Sequence, residues 1–204
     1  MESTGPCVQR FGWKLVTLAA LNYSPRMKLW KKLLLGLLAL VVLLVVVGCF
    51  LPSRARVERS LNMRATPEAL FPRIATLTRW PEWTAWTTNR FPDMQTRFSG
   101  AASGVGAVMM AEGKSSGSGT VTITRAEPAT GIGYDLDFEH GTQLFHGSIT
   151  FNTTNDGMKV TWAIETDMGA NPFKRWAGLV LDKLMGGDMA AGLANLKLQV
   201  ESGK

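Results

Sequence analysis

The chain has 204 residues, 46% hydrophobic and 9% aromatic, enough for one anchor and one domain with a proper core but not for a second large domain. The net charge of +6 sits at one end: up to Arg54 seven Lys or Arg face one acid, Glu2, and beyond it fifteen bases face fifteen acids. A nucleic-acid binder carries its basic patch on the folded domain, so no nucleic-acid partner is expected, and with Cys7 and Cys49 both outside that domain no disulfide framework or thiolate metal site can be built.

Residues 1–32 form a basic flank in which Phe11–Leu21 is only mildly apolar. Met27, followed by Lys28, Leu29, Trp30, Lys31 and Lys32, has the form of a conventional start to a basic flank and apolar core, which makes it a candidate translation start. From Leu33 to Ser53 there is no charged side chain, matching the roughly 20 residues a helix needs to cross a bilayer. A transmembrane helix is predicted over 33–53, because a secretory apolar region is shorter, about 7–15 residues, and a soluble helix would show a polar face. The positive flank predicts a single-pass protein of the cell membrane, with the N-terminus cytoplasmic and the domain on the outer, periplasmic or extracytoplasmic, side. "VVGC" at 46–49 resembles a lipobox, so lipoprotein anchoring at Cys49 is the alternative. Against it, Phe50, Leu51 and Pro52 continue the apolar run, and no polar tether precedes the first strand near Val57.

In "ARVERSLNMRA", Val57, Leu61 and Met63 alternate with polar residues and predict a strand, with Arg59 an exception on its apolar face. "TPEALFPRIATL" predicts a short helix over 66–77 with Thr66 as N-cap, Pro67 in the first turn and Pro72 preventing a long regular helix. "RWPEWTAW" predicts a second helical turn, with Trp80, Trp83 and Trp86 spaced by three: a cavity mouth or membrane-facing lip, or simply core at one end of a sheet. From about Gln95 to Asp167, β-branched and aromatic runs separated by "GKSSGSG", "PATG", "HGTQ" and "NDG" predict an antiparallel meander. After Gly169, apolar residues recur at three and four positions from Phe173 to Val200, predicting a helix of roughly thirty residues capped by Asn171 and bent or interrupted at Gly186 and Gly187.

The opening "VERSLNMRATPEALFPRIATLTRWPEWTAW", then "GVGAVMMAEG", "ITRAEP", "GIGYDLDF", "VTWAIETDMGANP" and "GLANLKLQVE", resemble in that order the SRPBCC superfamily (START/Bet v 1-like), in its polyketide cyclase/dehydrase and lipid transport group. The resemblance covers residues 55–202. It implies an α+β helix-grip fold, in which a curved antiparallel sheet wraps around a long C-terminal helix, here preceded by the single transmembrane helix. It also implies an apolar cavity that binds a hydrophobic small molecule or lipid, or that serves a cyclase or dehydratase; a non-catalytic interaction module with a filled cavity is a further alternative.

Cavity candidates are Trp83, Trp86, Met110, Ile123, Tyr134, Leu136, Phe138, Phe151 and Trp162, faced by Phe173, Trp176, Val180 and Leu184 with Met185 and Met189 on the last helix. Core packing explains each of these positions equally well. His140 and His146 lie near Asp135, Asp137 and Glu139, but those acids alternate with Tyr134, Leu136 and Phe138 as the exposed face of a strand would. No catalytic residue, metal ligand or cofactor is assigned. "GVG" at 104–106 and "GSG" at 117–119 sit in no strand–loop–helix unit and are read as bends, not phosphate loops. The oligomeric state is left open.

Overall fold

The computed structural model describes residues 28–202; Cys7, Phe11–Leu21 and the candidate start at Met27 lie outside the described residues. The first element is a helix, α1 (Leu29–Phe50), in which only Gly48 is buried and apolar side chains face outward all round. It begins and ends earlier than the predicted 33–53. Pro52 disfavours the helical conformation at Leu51, whose N–H closes the last turn on Gly48 O at 3.3 Å.

Strand β1 (Arg54–Met63) and helix α2 (Pro67–Ile74) follow. A 3-10 turn (Leu77–Arg79) and the single helical turn α3 (Trp80–Trp83) lead into the meander. Its strands are β2 (Gln95–Gly100), β3 (Ala107–Gly113), β4 (Gly117–Glu127), β5 (Gly131–Phe138), β6 (Gln143–Thr154) and β7 (Gly157–Asp167). The order β1-β7-β6-β5-β4-β3-β2 is antiparallel throughout, forming one curved seven-stranded sheet with an irregularity in β4 between Ile123 and Arg125. The Gly- and Asn-containing links predicted from sequence are its turns.

The last helix, α4 (Pro172–Glu201), starts where Asn171 Oδ1 accepts the Phe173 N–H at 2.9 Å, which satisfies one of the free amides of the first turn. It runs as helix through Gly186 and Gly187, so of the bend or interruption expected there the interruption does not occur. Gly186 is there for clearance: a Cβ at this position would lie 2.0 Å from Arg59 Nη2. Arg59, the exception on β1, reaches along α4 to Asp182, so one close approach explains both anomalies. Polar tethers fix the far half of α4: Asn195 donates to Trp83 O, Gln199 to Glu82 O, and Arg64 N–H to Glu201 Oε1.

Between α4 and the sheet lies a core of Met189, Leu193 and Leu196 against Val57, Val160 and Ile164. One end is closed by indoles. Trp80, Trp83 and Trp162 are fully buried, with ring centroids 5.4–5.6 Å apart for Trp83–Trp162 and Trp80–Trp83 in edge-to-face geometry. Pairs of this kind add about 0.5–1.5 kcal/mol each beyond their buried area. Their N–H groups are used: Trp80 donates to Ile74 O, Trp83 to Arg73 O and Trp162 to the Tyr134 hydroxyl.

Candidate ligand cavity

Toward β3 and β4 the interior is not filled. Inward positions there carry Met109, Ala111, Gly117, Gly119 and Val121, and the three smallest of these leave a volume that larger side chains would occupy. The result is a cavity of about 330 Å³. Tyr134, Leu136 and Phe138 of β5 and Phe145 of β6 line it from the sheet, with Leu181, Leu184 and Met185 opposite on α4. Trp80, Trp86 and Met94 close the remaining side. Trp80 and Tyr134 are buried at the floor, whereas Leu184 and Phe138 are exposed at the rim.

Polar groups are few. Asp188 reaches the lining from α4, where the Arg90 guanidinium donates to it from the segment joining α3 to β2. The same segment is pinned again at Asp93, which accepts from the hydroxyl and the N–H of Ser115 in the β3–β4 turn. Those two bonds hold the Asp93 carboxyl below its ordinary range. Burial pushes the Tyr134 phenol well up, only partly opposed by the Trp162 N–H that it accepts at 2.7 Å. It therefore stays neutral across the physiological range.

Five of the predicted candidates line this cavity: Trp86, Tyr134, Leu136, Phe138 and Leu184. Trp83, Ile123, Phe151 and Trp162 are instead packed in the core, each with 1% exposure or less. Met110 is on the wrong face, since Met109 and Ala111 point inward and a strand alternates. Glu112 shares the parity of Met110 and could have signalled this. Phe173 and Val180 are exposed on α4, while Trp176 is half-buried and donates to Leu44 O. Met185 lines the cavity and Met189 is core.

His146 Nδ1 and Asp135 Oδ1 are 2.7 Å apart as a cross-strand pair, but both are substantially exposed on the outer face. Asp137 accepts from Gly141 N–H, Glu139 from Ser118 N–H, and neither these acids nor His140 line the cavity. Among the described residues no three His, Cys, Asp or Glu are grouped to hold a metal ion. Sequence reasoning missed Met94, Met109, Val121, Phe145, Leu181 and Asp188. The run of small inward residues on β4 was the available signal for the cavity's position.

A curved antiparallel sheet gripping a long C-terminal helix, with an apolar hollow between them, defines the helix-grip class of α+β domains. Residues 54–201 match the family model for polyketide cyclase / dehydrase and lipid transport, and the chain belongs to that family. No curated protein matches it in sequence. Among solved structures it is similar to the di-domain ARO/CYC StfQ from the steffimycin biosynthetic pathway, with a TM-score of 0.57 at 11% identity over 73% of this chain and 51% of that one. It is also similar to a protein from Rhodobacter sphaeroides, with a TM-score of 0.52 at 15% identity over 72% of this chain and 93% of that one. Protein MLL2253 from Mesorhizobium loti gives 0.52 at 14% identity over 73% of this chain and 98% of its own length. At such identities the likeness is one of fold.

Proposed function

We propose that the domain, residues 55–202, binds a hydrophobic small molecule or a lipid chain in the cavity beneath α4, and that α1 holds it at a membrane. The cavity carries this reading: at about 330 Å³ it is at the lower end of ligand-site volumes. Its lining offers water little beyond Ser116 and the already engaged Asp188 to bond. Replacing poorly bonded water with an apolar ligand is favourable. The family's range, cyclases and lipid carriers alike, is compatible with this.

The membrane reading rests on the length and composition of α1, whose 22 residues have a mean hydropathy of 3.2 over the most apolar window. At about 1.5 Å rise per residue they span about 33 Å, sufficient for a hydrocarbon core of about 30 Å. For orientation, Lys28 precedes α1 and Lys31 and Lys32 lie in its first turn, whereas Arg54, Arg56 and Arg59 after it pair with Glu165, Glu58 and Asp182 as parts of the fold. An N-terminus inside and a domain outside follows from the positive-inside rule. The test is organic extraction and mass spectrometry of full-length protein purified from membranes, with Nile red titration of the stripped protein. Bound apolar material and saturable dye binding, abolished by Gly119→Leu, are expected. Dye binding indifferent to Gly119→Leu sinks the proposal.

A further inference from the structure

The N-terminal half of α4 presents an apolar face that nothing in the fold covers. Phe173, Val180 and Leu184 are 59%, 46% and 68% exposed. With Ala177 and Gly187, also exposed, they fall at i, i+4, i+7, i+11 and i+14, a single stripe on a helix of 3.6 residues per turn. Asp182 is half a turn away, facing Arg59, while Lys174 and Lys183 flank the stripe on its two sides. Leu184 belongs to both the stripe and the cavity rim.

The beginning of α4 is pinned to the end of α1. Arg175 Nη1 donates to Cys49 O at 2.7 Å and to Leu51 O at 3.2 Å, and Trp176 Nε1 donates to Leu44 O at 3.0 Å. Gly48 admits this contact: a Cβ there would lie 2.7 Å from Pro172 Cβ. Leu44 is six residues before the end of α1, about 9 Å along its axis at about 1.5 Å per residue. If α1 spans a bilayer, Trp176 is drawn to the interfacial layer where tryptophan concentrates, and Phe173 goes with it. Beyond Trp176, α4 packs on β1, and the stripe lies on the face of the helix opposite Asp182, which meets Arg59 of that strand.

We infer that the Phe173–Val180–Leu184 stripe lies on the surface of the bilayer that α1 crosses, so that the cavity rim opens onto lipid. The occupant is a lipid surface because the stripe is continuous with an apolar helix that requires one, and because its lysine flanks can extend their charged ends into the headgroup layer while the stems lie along apolar surface. This rests on the anchor reading above. The test uses the full chain with Cys7→Ser and Cys49→Ser, bearing one new cysteine from Val180→Cys, Leu184→Cys or, as a control in the β6–β7 turn, Asp156→Cys. Each is labelled with an environment-sensitive dye and reconstituted in phosphatidylcholine–phosphatidylserine vesicles. Nitroxide lipids are expected to quench the probes at 180 and 184 several-fold more than the probe at 156, with blue-shifted emission. Equal quenching at all three positions, in protein that resists alkaline carbonate extraction, overturns the inference and leaves the anchor standing. Extraction by carbonate overturns both. Protection at 180 and 184 accompanied by dye self-quenching, without quenching by lipid, identifies a second copy as the occupant and also overturns it.

Discussion

Gly147 sits opposite Tyr134 in the β5–β6 register, and the phenol ring lies across it. A Cβ at 147 would be 2.0 Å from Tyr134 Cζ and 2.3 and 2.5 Å from the two Cε atoms. Carbon atoms settle about 3.5–4.0 Å apart, so in Gly147→Ala the ring must move by about 1.5 Å. It has nowhere to go without loss: it stands edge-to-face with Trp80 at 5.2 Å, and its hydroxyl accepts from Trp162. Overpacking of this kind costs about 1–3 kcal/mol, and a buried indole N–H left without a partner about 1–3 kcal/mol. The better strand entropy of Ala returns about 0.5–1 kcal/mol. The expected net loss is about 1–5.5 kcal/mol, a fall in Tm of roughly 2–22 °C for a chain of this size. Thermal unfolding of the full-length protein in detergent, followed by circular dichroism, reads it. Tyr134→Leu removes the clashing atoms, so in the double variant the two costs should combine with a favourable coupling of about 1–3 kcal/mol. A Tm for Gly147→Ala within about 1 °C of the parent, or strictly additive costs, refutes the locked ring.

Gly186→Ala presents a clash of the same length but against the far end of a flexible arginine, so Arg59 swings away from Asp182 and the helix gains up to about 1 kcal/mol in propensity. Melting no lower than a few degrees below the parent is expected, and a loss as large as that of Gly147→Ala would contradict this. Asn171→Ala removes the cap of α4 and should cost about 1 kcal/mol, or about 2–4 °C in Tm, with Asn171→Ser restoring most of it. The Asp93 carboxyl is held below its ordinary 3.8 by Ser115, so its contribution is present above that value and lost as pH falls through the lower folded value. The Tm difference between parent and Asp93→Asn should therefore be constant near neutrality and shrink as the pH falls below 3.8; a difference that grows on acidification would reverse the sign.

The architecture was legible because each element carries its own local signal. Alternation marked β1, β-branched and aromatic runs between short turn sequences marked the meander, Asn171-Pro172 marked the start of α4, and family resemblance supplied the way sheet and helix close on each other. Other features depend on partners distant in sequence. A glycine in a helix signals either a break or a close approach, and only Arg59, over a hundred residues earlier, decides between them at Gly186. The cavity likewise exists where side chains are small or absent, at Ala111, Gly117 and Gly119, whereas the candidates drawn from the sequence were large apolar residues. Large residues fill space, so Ile123, Phe151 and Trp162 became core. At Met109 and Met110 the composition was right and the parity was off by one, although the neighbouring Glu112 fixes which face is outside.

The size and apolar lining of the cavity bear on why an anchor would matter. Tyr134 stays neutral and Asp188 is engaged by Arg90, so the lining offers shape and apolar contact with little directed polarity. Contacts of this kind return about 0.3 kcal/mol per ligand atom at drug-like size, which in a cavity near 330 Å³ gives only modest affinity. A weak binder is occupied when its ligand is locally concentrated, and apolar ligands concentrate in bilayers by the hydrophobic effect itself. Under the proposed function, α1 raises occupancy by holding the cavity where its ligand already is, as linkage raises effective concentration without any new contact. The clearance at Gly48 and the Arg175 bonds to Cys49 O and Leu51 O then serve this purpose directly: they fix the domain to the last turns of α1 where a loose tether would let the rim turn away.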